Sequence, residues 1–139
     1  MQLFSGTIRD NLTFFNTQIT DEQLIGAIKQ MGIEDWFSKF ENGLDTILSV
    51  NSLGLSAGES QLLAFVRVFI NNPEIIILDE VSSRLDPETE RPLQKTIQKL
   101  LENRMGIIIA HKLWTLEQVD DILILEKGNT LEYGNGWHF

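Results

Sequence analysis

Between Thr20 and Phe40 the apolar residues Leu24, Ile25, Ile28, Met31, Ile33, Trp36 and Phe37 fall at helical spacing, with Thr20 placed as a cap and Gly32 as a break. A further helix is predicted to start at Ser56. Ser56 and Glu59 fit a capping box, in which the serine side chain accepts from the third backbone N–H and the glutamate reaches back to the cap. Leu62, Phe65, Val66, Phe69 and Ile70 then follow i, i+3, i+4, i+7, i+8 as one apolar stripe, which Asn71, Asn72 and Pro73 stop. From Glu74 onward the pattern changes to short aliphatic runs at 75–78, 107–110 and 122–125, which read as strands buried on both faces. Their alternation with helical segments predicts a parallel sheet of α/β type, and the segment EKGNTLEY at 126–133 reads as a turn into a last short strand. Asp86, Pro87, Glu88 and Glu90 form a helix start, after which Pro92 predicts a kink or restart near Arg91. Arg91, Lys95, Lys99 and Arg104 read as a solvated basic face, and His138, in a terminal Trp-His-Phe, is expected to fray.

Composition narrows the functional classes. With 42% hydrophobic and 22% charged residues the chain is ordinary for a globular domain, so disorder is excluded as the main reading. A net charge of −9 leaves no broad basic footprint, which argues against nucleic acid as a partner. The absence of cysteine excludes disulfides, thiolate metal sites and a cysteine nucleophile. No apolar run approaches the ~20 residues of a membrane span, and the N-terminus lacks the regions of a signal peptide. The chain is therefore expected to be soluble, with any membrane role exerted through a partner. No internal repeat or linker divides it, although a helical half precedes a strand-rich half.

Two places carry candidate chemistry. The start of the Ser56 helix, with Gly58 allowing close approach, either opens an ordinary core helix or receives an anion on its free N–H groups. Asp79 and Glu80 follow the 75–78 run directly, and functional groups collect at the carboxyl ends of strands in parallel sheets. They are either solvated loop acids or a pair that holds a magnesium ion and orients an attacking water. His111, at the end of the second aliphatic run, would stand beside them in such a sheet.

The segments LSAGE at 55–59, IIILDE at 75–80, SSRLD at 82–86 and IIIAH at 107–111, in that order and spacing, resemble the signature motif, Walker B, D-loop and switch histidine of the ATP-binding-cassette ATPases. LFSGTIRDNL at 3–12 is similar to the segment after the Q-loop in cassettes of the exporter type, and GLDT at 43–46 to the approach to their signature. The resemblance implies a partial P-loop NTPase fold, with a helical subdomain over about 1–72 and the Walker B, D-loop and H-loop half of the core over about 73–139. It implies that Ser56, Ala57, Gly58 and Glu59 face the γ-phosphate of an ATP held mainly by an opposing subunit, and that Asp79 positions Mg²⁺. By the same resemblance Glu80 acts on the water, His111 contacts the γ-phosphate, and Asp86 lies at the seam of a head-to-tail dimer. The implied partners are a second cassette and a transmembrane domain, which would hold the chain at the cytoplasmic face of the membrane.

Departures from the family pattern are specific. Ala57 stands where the commonest signature has glycine, and Glu59 where it has glutamine, which brings a negative charge close to the expected phosphate unless the side chain turns back into the capping box. No G-x-x-x-x-G-K-[ST] occurs, so the loop and lysine that cradle the phosphates are missing from the sequence. The chain is expected to be the C-terminal portion of an exporter-type cassette, inactive alone. The alternative is a catalytically inactive fragment or interaction module that pairs with an intact cassette. A chromosome-maintenance type of ATPase is disfavoured by LFSGTIRDNL and by the lack of coiled-coil heptads.

Overall fold

Three helices of the chain begin with the same device, a side-chain oxygen and a residue three positions on that satisfy each other's backbone N–H groups. The computed structural model, which describes residues 3–49, 54–79, 87–110, 116–117 and 119–135, shows these reciprocal boxes at Thr7 with Asp10, Thr20 with Gln23, and Ser56 with Glu59. Strand β1 (Gly6–Thr7) pairs antiparallel with β2 (Ile47–Leu48), and helix α1 (Ile8–Thr13) follows β1 directly. Helix α2 spans Asp21–Gln30, α3 Glu34–Phe37 and α4 Ala57–Asn71. Gly32, at φ +72°, makes the left-handed turn between α2 and α3 that the sequence pattern places there. Leu24, Ala27, Ile28, Met31 and Ile33 are buried, whereas Ile25 is exposed. Ile25 lies one residue, about 100° of helix rotation, from Leu24 and so leaves the core-facing stripe.

Helix α4 is the centre of the core. A one-sided stripe is predicted for it, but Leu62, Leu63, Ala64, Phe65, Val66 and Arg67 are all buried, because α1, α2 and α5 (Pro87–Leu101) pack around it. Phe69 and Ile70 lie at the edge of the same cluster. Asn72 ends the helix in the left-handed region at φ 48°, as its position in the sequence suggests. Helix α5 continues through Pro92 without the restart named as one of the two expectations there. Leu93, Thr96, Ile97 and Leu100 are buried along one stripe, and that packing holds the helix across the one backbone bond that proline removes. Arg104 also departs from the solvated face expected for it. Its guanidinium donates to the Leu100 carbonyl and to Asn72 Oδ1, each at 2.8 Å, and lies 5.1 Å from the Phe69 ring centroid, tying the end of α4 to the end of α5.

Strands β3 (Ile75–Asp79) and β4 (Met105–Ile109) pair in parallel, joined by α5 as the crossover. The 122–125 run forms β5 (Asp121–Glu126), which does not extend this sheet but pairs antiparallel with β6 (Asn129–Asn135) across a turn at Lys127 and Gly128. The described residues thus form three two-stranded sheets with a single parallel pair, in place of the one parallel sheet expected. Burial on both faces is not seen either. Ile76 and Leu78 turn into the core with Ile108 packed beside them, while Ile75 (56% exposed), Ile77 (64%), Met105 (64%) and Ile107 (50%) lie on the opposite, open face. Helices α4 and α5 cover one side of the pair, and no described element covers the other.

That open face predicts self-association, since a contiguous apolar patch on a sheet with unpaired edges is an association surface. Sedimentation velocity of the 139-residue chain is expected to show concentration-dependent oligomers, which Ile77→Lys with Ile107→Lys reduces. A monodisperse monomer at all concentrations would contradict this.

Candidate functional site at the start of helix four and the end of strand three

At the first turn of α4, Ser56 Oγ accepts from the Glu59 N–H at 3.2 Å and Glu59 Oε2 accepts from the Ser56 N–H at 2.8 Å. The Ser56 carbonyl takes the Ser60 N–H at 2.9 Å. Of the four N–H groups that a helix start leaves without helical partners, the capping box therefore satisfies two, those of Ser56 and Glu59, while those of Ala57 and Gly58 have no acceptor within the helix. Ser56 and Ala57 are exposed and Gly58 is buried. The helix dipole adds a partial positive charge at this end, so the turn suits an anion.

Glu59 turns back, away from the front of the helix. Its second oxygen, Oε1, accepts from Trp36 Nε1 at 3.0 Å and from the Lys39 ammonium. Lys39 also sits 5.4 Å from the Trp36 ring centroid and 5.7 Å from that of Phe40. These contacts span 23 and 20 residues and are missed by reading the sequence. Trp36 reads there as part of an apolar stripe, yet an indole N–H that is half-buried needs an acceptor, and that requirement was the available signal.

Asp79 closes β3 and is exposed. It pairs in register with Ile109 of β4, so the carboxyl ends of the two parallel strands are level, the arrangement that collects functional groups in such sheets. Glu80, Asp86 and His111 lie outside the described residues. Among the described residues no group of three or more metal-ligating side chains occurs, and no hydrogen bond or ion pair joins Asp79 to the first turn of α4. A single strand-end carboxylate is nevertheless a suitable Mg²⁺ donor, because that ion keeps several waters and takes one or two carboxylates together with substrate phosphates. An open groove of ≈ 790 Å³ between α2 and the far end of α4, bordered by Gln23, Gln30, Phe69, Asn72 and Arg104, contains none of the candidate site residues Ser56, Ala57, Gly58, Glu59 and Asp79.

The segment before α4 is braced from outside. Arg9 on α1 donates to both Asp21 carboxylate oxygens at 2.7 and 2.8 Å and to Asp45, linking α1, the start of α2 and the turn at Gly43–Asp45. Hydrogen bonding to Arg9 holds the Asp21 carboxyl below its ordinary value, and the two carboxylates push the Arg9 guanidinium up.

Comparison with known proteins identifies the family. Residues 2–83 match the model of the ABC transporter family. An uncharacterized ABC transporter ATP-binding protein of Bacillus subtilis is 39% identical over 95% of this chain and 23% of its own length. An ATP-dependent lipid A-core flippase of Pectobacterium atrosepticum is 38% identical over 97% of this chain and 23% of its own length. ABC transporter B family member 1 of Dictyostelium discoideum is 37% identical over 95% of this chain and 14% of its own length. The chain spans less than a quarter of each of these relatives. Among the described residues no helix is long and apolar enough to cross a membrane.

Proposed function

The chain belongs to the ABC transporter family, and from that premise we propose that it is the signature-bearing part of an ATP-binding cassette whose parent couples ATP hydrolysis to export. The observation that carries this reading is the first turn of α4, where Ser56 and Glu59 close a capping box and leave the Ala57 and Gly58 N–H groups free of helical partners. Those N–H groups and Ser56 donate to the γ-phosphate of an ATP bound mainly by a second cassette packed head to tail. Residues 1–72 form the helical subdomain in this reading and 73–139 the second half of the catalytic core.

Asp79 holds Mg²⁺, which when bound supplies charge neutralisation for the phosphates. Glu80 orients the attacking water and takes its proton, His111 holds the γ-phosphate, and Asp86 lies at the seam between cassettes. Export as the direction is supported by similarity to a lipid A-core flippase and by the LFSGTIRDNL segment. A transmembrane domain is the partner through which the chain works at the membrane.

Two measurements test the reading. Titration calorimetry of the purified chain is expected to show no tight MgATP binding, because the sequence has no G-x-x-x-x-G-K-[ST] loop and a helix start offers few contacts. Micromolar affinity would contradict it. Mixed with a cassette segment that carries that loop, the chain is expected to restore MgATP hydrolysis, and Ser56→Arg to abolish it. If no hydrolysis returns, the chain is an inactive module that pairs with an intact cassette.

A further inference from the structure

A glutamate at the third position of α4 raises an electrostatic problem. Near a helix start a carboxylate stabilises the helix, but it also cancels the positive potential that attracts an incoming anion. Glutamine, the usual residue of the signature at this position, brings no such charge. In this chain both carboxylate oxygens of Glu59 are engaged: Oε2 by the Ser56 N–H within the capping box, Oε1 by Trp36 Nε1 of α3 and by the Lys39 ammonium just beyond it. The Glu59 side chain is only 15% exposed, whereas that of Lys39 is 46% exposed.

We propose that Trp36 and Lys39 are positioning residues for the anion-facing end of α4, drawing the Glu59 carboxylate back toward α3 and neutralising it there so that the helix start stays open to phosphate. This rests on the assignment of α4 to the ATP site. The two residues divide the work. The ammonium of Lys39 supplies the counter-charge, and it is held beside the Trp36 and Phe40 rings, whose faces favour a cation. Trp36 has no charge but has a single rigid donor, and that donor selects which way the carboxylate points. The pair Trp36 and Phe40, edge to face at 5.2 Å between centroids, holds the platform. A cassette with glutamine at this position needs no such counter-charge, so the arrangement compensates for the one acidic residue in LSAGE.

The test is a double-mutant cycle on MgATP hydrolysis by the chain assembled with a loop-bearing cassette segment, with Ser56→Arg as the reference for the site itself. An uncompensated unit charge about one helical turn from a phosphate oxygen is worth roughly fourfold in water-like dielectric. Lys39→Met is therefore expected to lower hydrolysis at limiting MgATP by about fourfold in the otherwise unchanged chain, and by less than about twofold in a Glu59→Gln background. Trp36→Phe, which removes only the N–H, is expected to act in the same direction with the same dependence on Glu59. Melting temperatures measured alongside distinguish loss of fold from loss of charge compensation. Equal losses in both backgrounds would mean that Lys39 and Trp36 act through packing alone and would overturn the proposal, as would no loss in either. Should Ser56→Arg leave hydrolysis unchanged, the assignment of α4 to the ATP site fails, and the proposal fails with it.

Discussion

Replacing Arg67 with alanine will destabilise the chain by roughly 2–5 kcal/mol, the range of large-to-alanine changes in a core and a large share of the ~5–15 kcal/mol that holds a domain together. Arg67 is a charged residue at the centre of the core, 1% exposed on α4. Its Nε donates to the Asn11 backbone carbonyl at 2.7 Å, and its guanidinium stacks 4.3 Å from the Phe14 ring centroid. Burial pushes its pKa down from the ordinary value, yet arginine stays charged throughout the accessible pH range. Truncation would leave a buried carbonyl without its donor, open a cavity and remove the stacking partner of Phe14.

The loss would spread to the N-terminal segment, because Asn11 is itself fully buried. Its side chain accepts from the Phe4 N–H at 2.9 Å and donates to the Phe4 carbonyl at 2.9 Å and the Thr7 carbonyl at 3.1 Å. Arg67→Met, which fills the space without the donors, is expected to lie between wild type and alanine. Urea unfolding of dilute protein, followed by far-ultraviolet circular dichroism, checks this. A change below ~1 kcal/mol, the size of an ordinary surface effect, would show that α4 does not depend on this contact.

Glu80→Gln, in the chain assembled with a loop-bearing cassette segment, will retain ATP while losing turnover by about 10²–10⁴-fold, the range of a positioned general base. The substitution preserves the shape of the side chain and removes the charge that, in the proposed mechanism, orients the water and accepts its proton. Asp79→Asn is expected to act differently, weakening the magnesium dependence of nucleotide binding as well as turnover, because in that proposed mechanism this carboxylate, at the end of β3, is the metal donor. Filter binding with labelled ATP, alongside a phosphate-release assay, separates the two effects. A Glu80→Gln assembly that hydrolyses ATP at the unmutated rate would remove Glu80 from the mechanism. Equal phenotypes at 79 and 80 would mean that the division of roles between the two acids is wrong.

What this sequence determined by itself is local. The cap at Thr20, the capping box at Ser56, the stop at Asn71 to Pro73, the break at Gly32 and the turn before β6 all involve partners within about four residues, and each was legible because backbone N–H groups and glycine φ values are satisfied or allowed over that range. The ordered motifs were legible for the same reason, as strings, and they identified the family before any packing was known. What only the tertiary structure decided depends on contacts between distant segments. The aliphatic runs at 75–78 and 107–110 look equally suited to burial on two faces, and nothing local says that α4 and α5 would both pack on one of them. The 122–125 run carries no mark of whether its neighbour is parallel or antiparallel, since strand pairing is chosen by the partner. Arg67 lies off the apolar stripe read for its helix, and only the packing of α1 brings the Asn11 carbonyl to it. The direction of the Glu59 carboxylate was the open question at the signature; the local capping box holds one oxygen, and the other meets Trp36 of α3 and Lys39 just after it, 23 and 20 residues away in the chain, because a charge is oriented by whichever donors packing brings within hydrogen-bond reach.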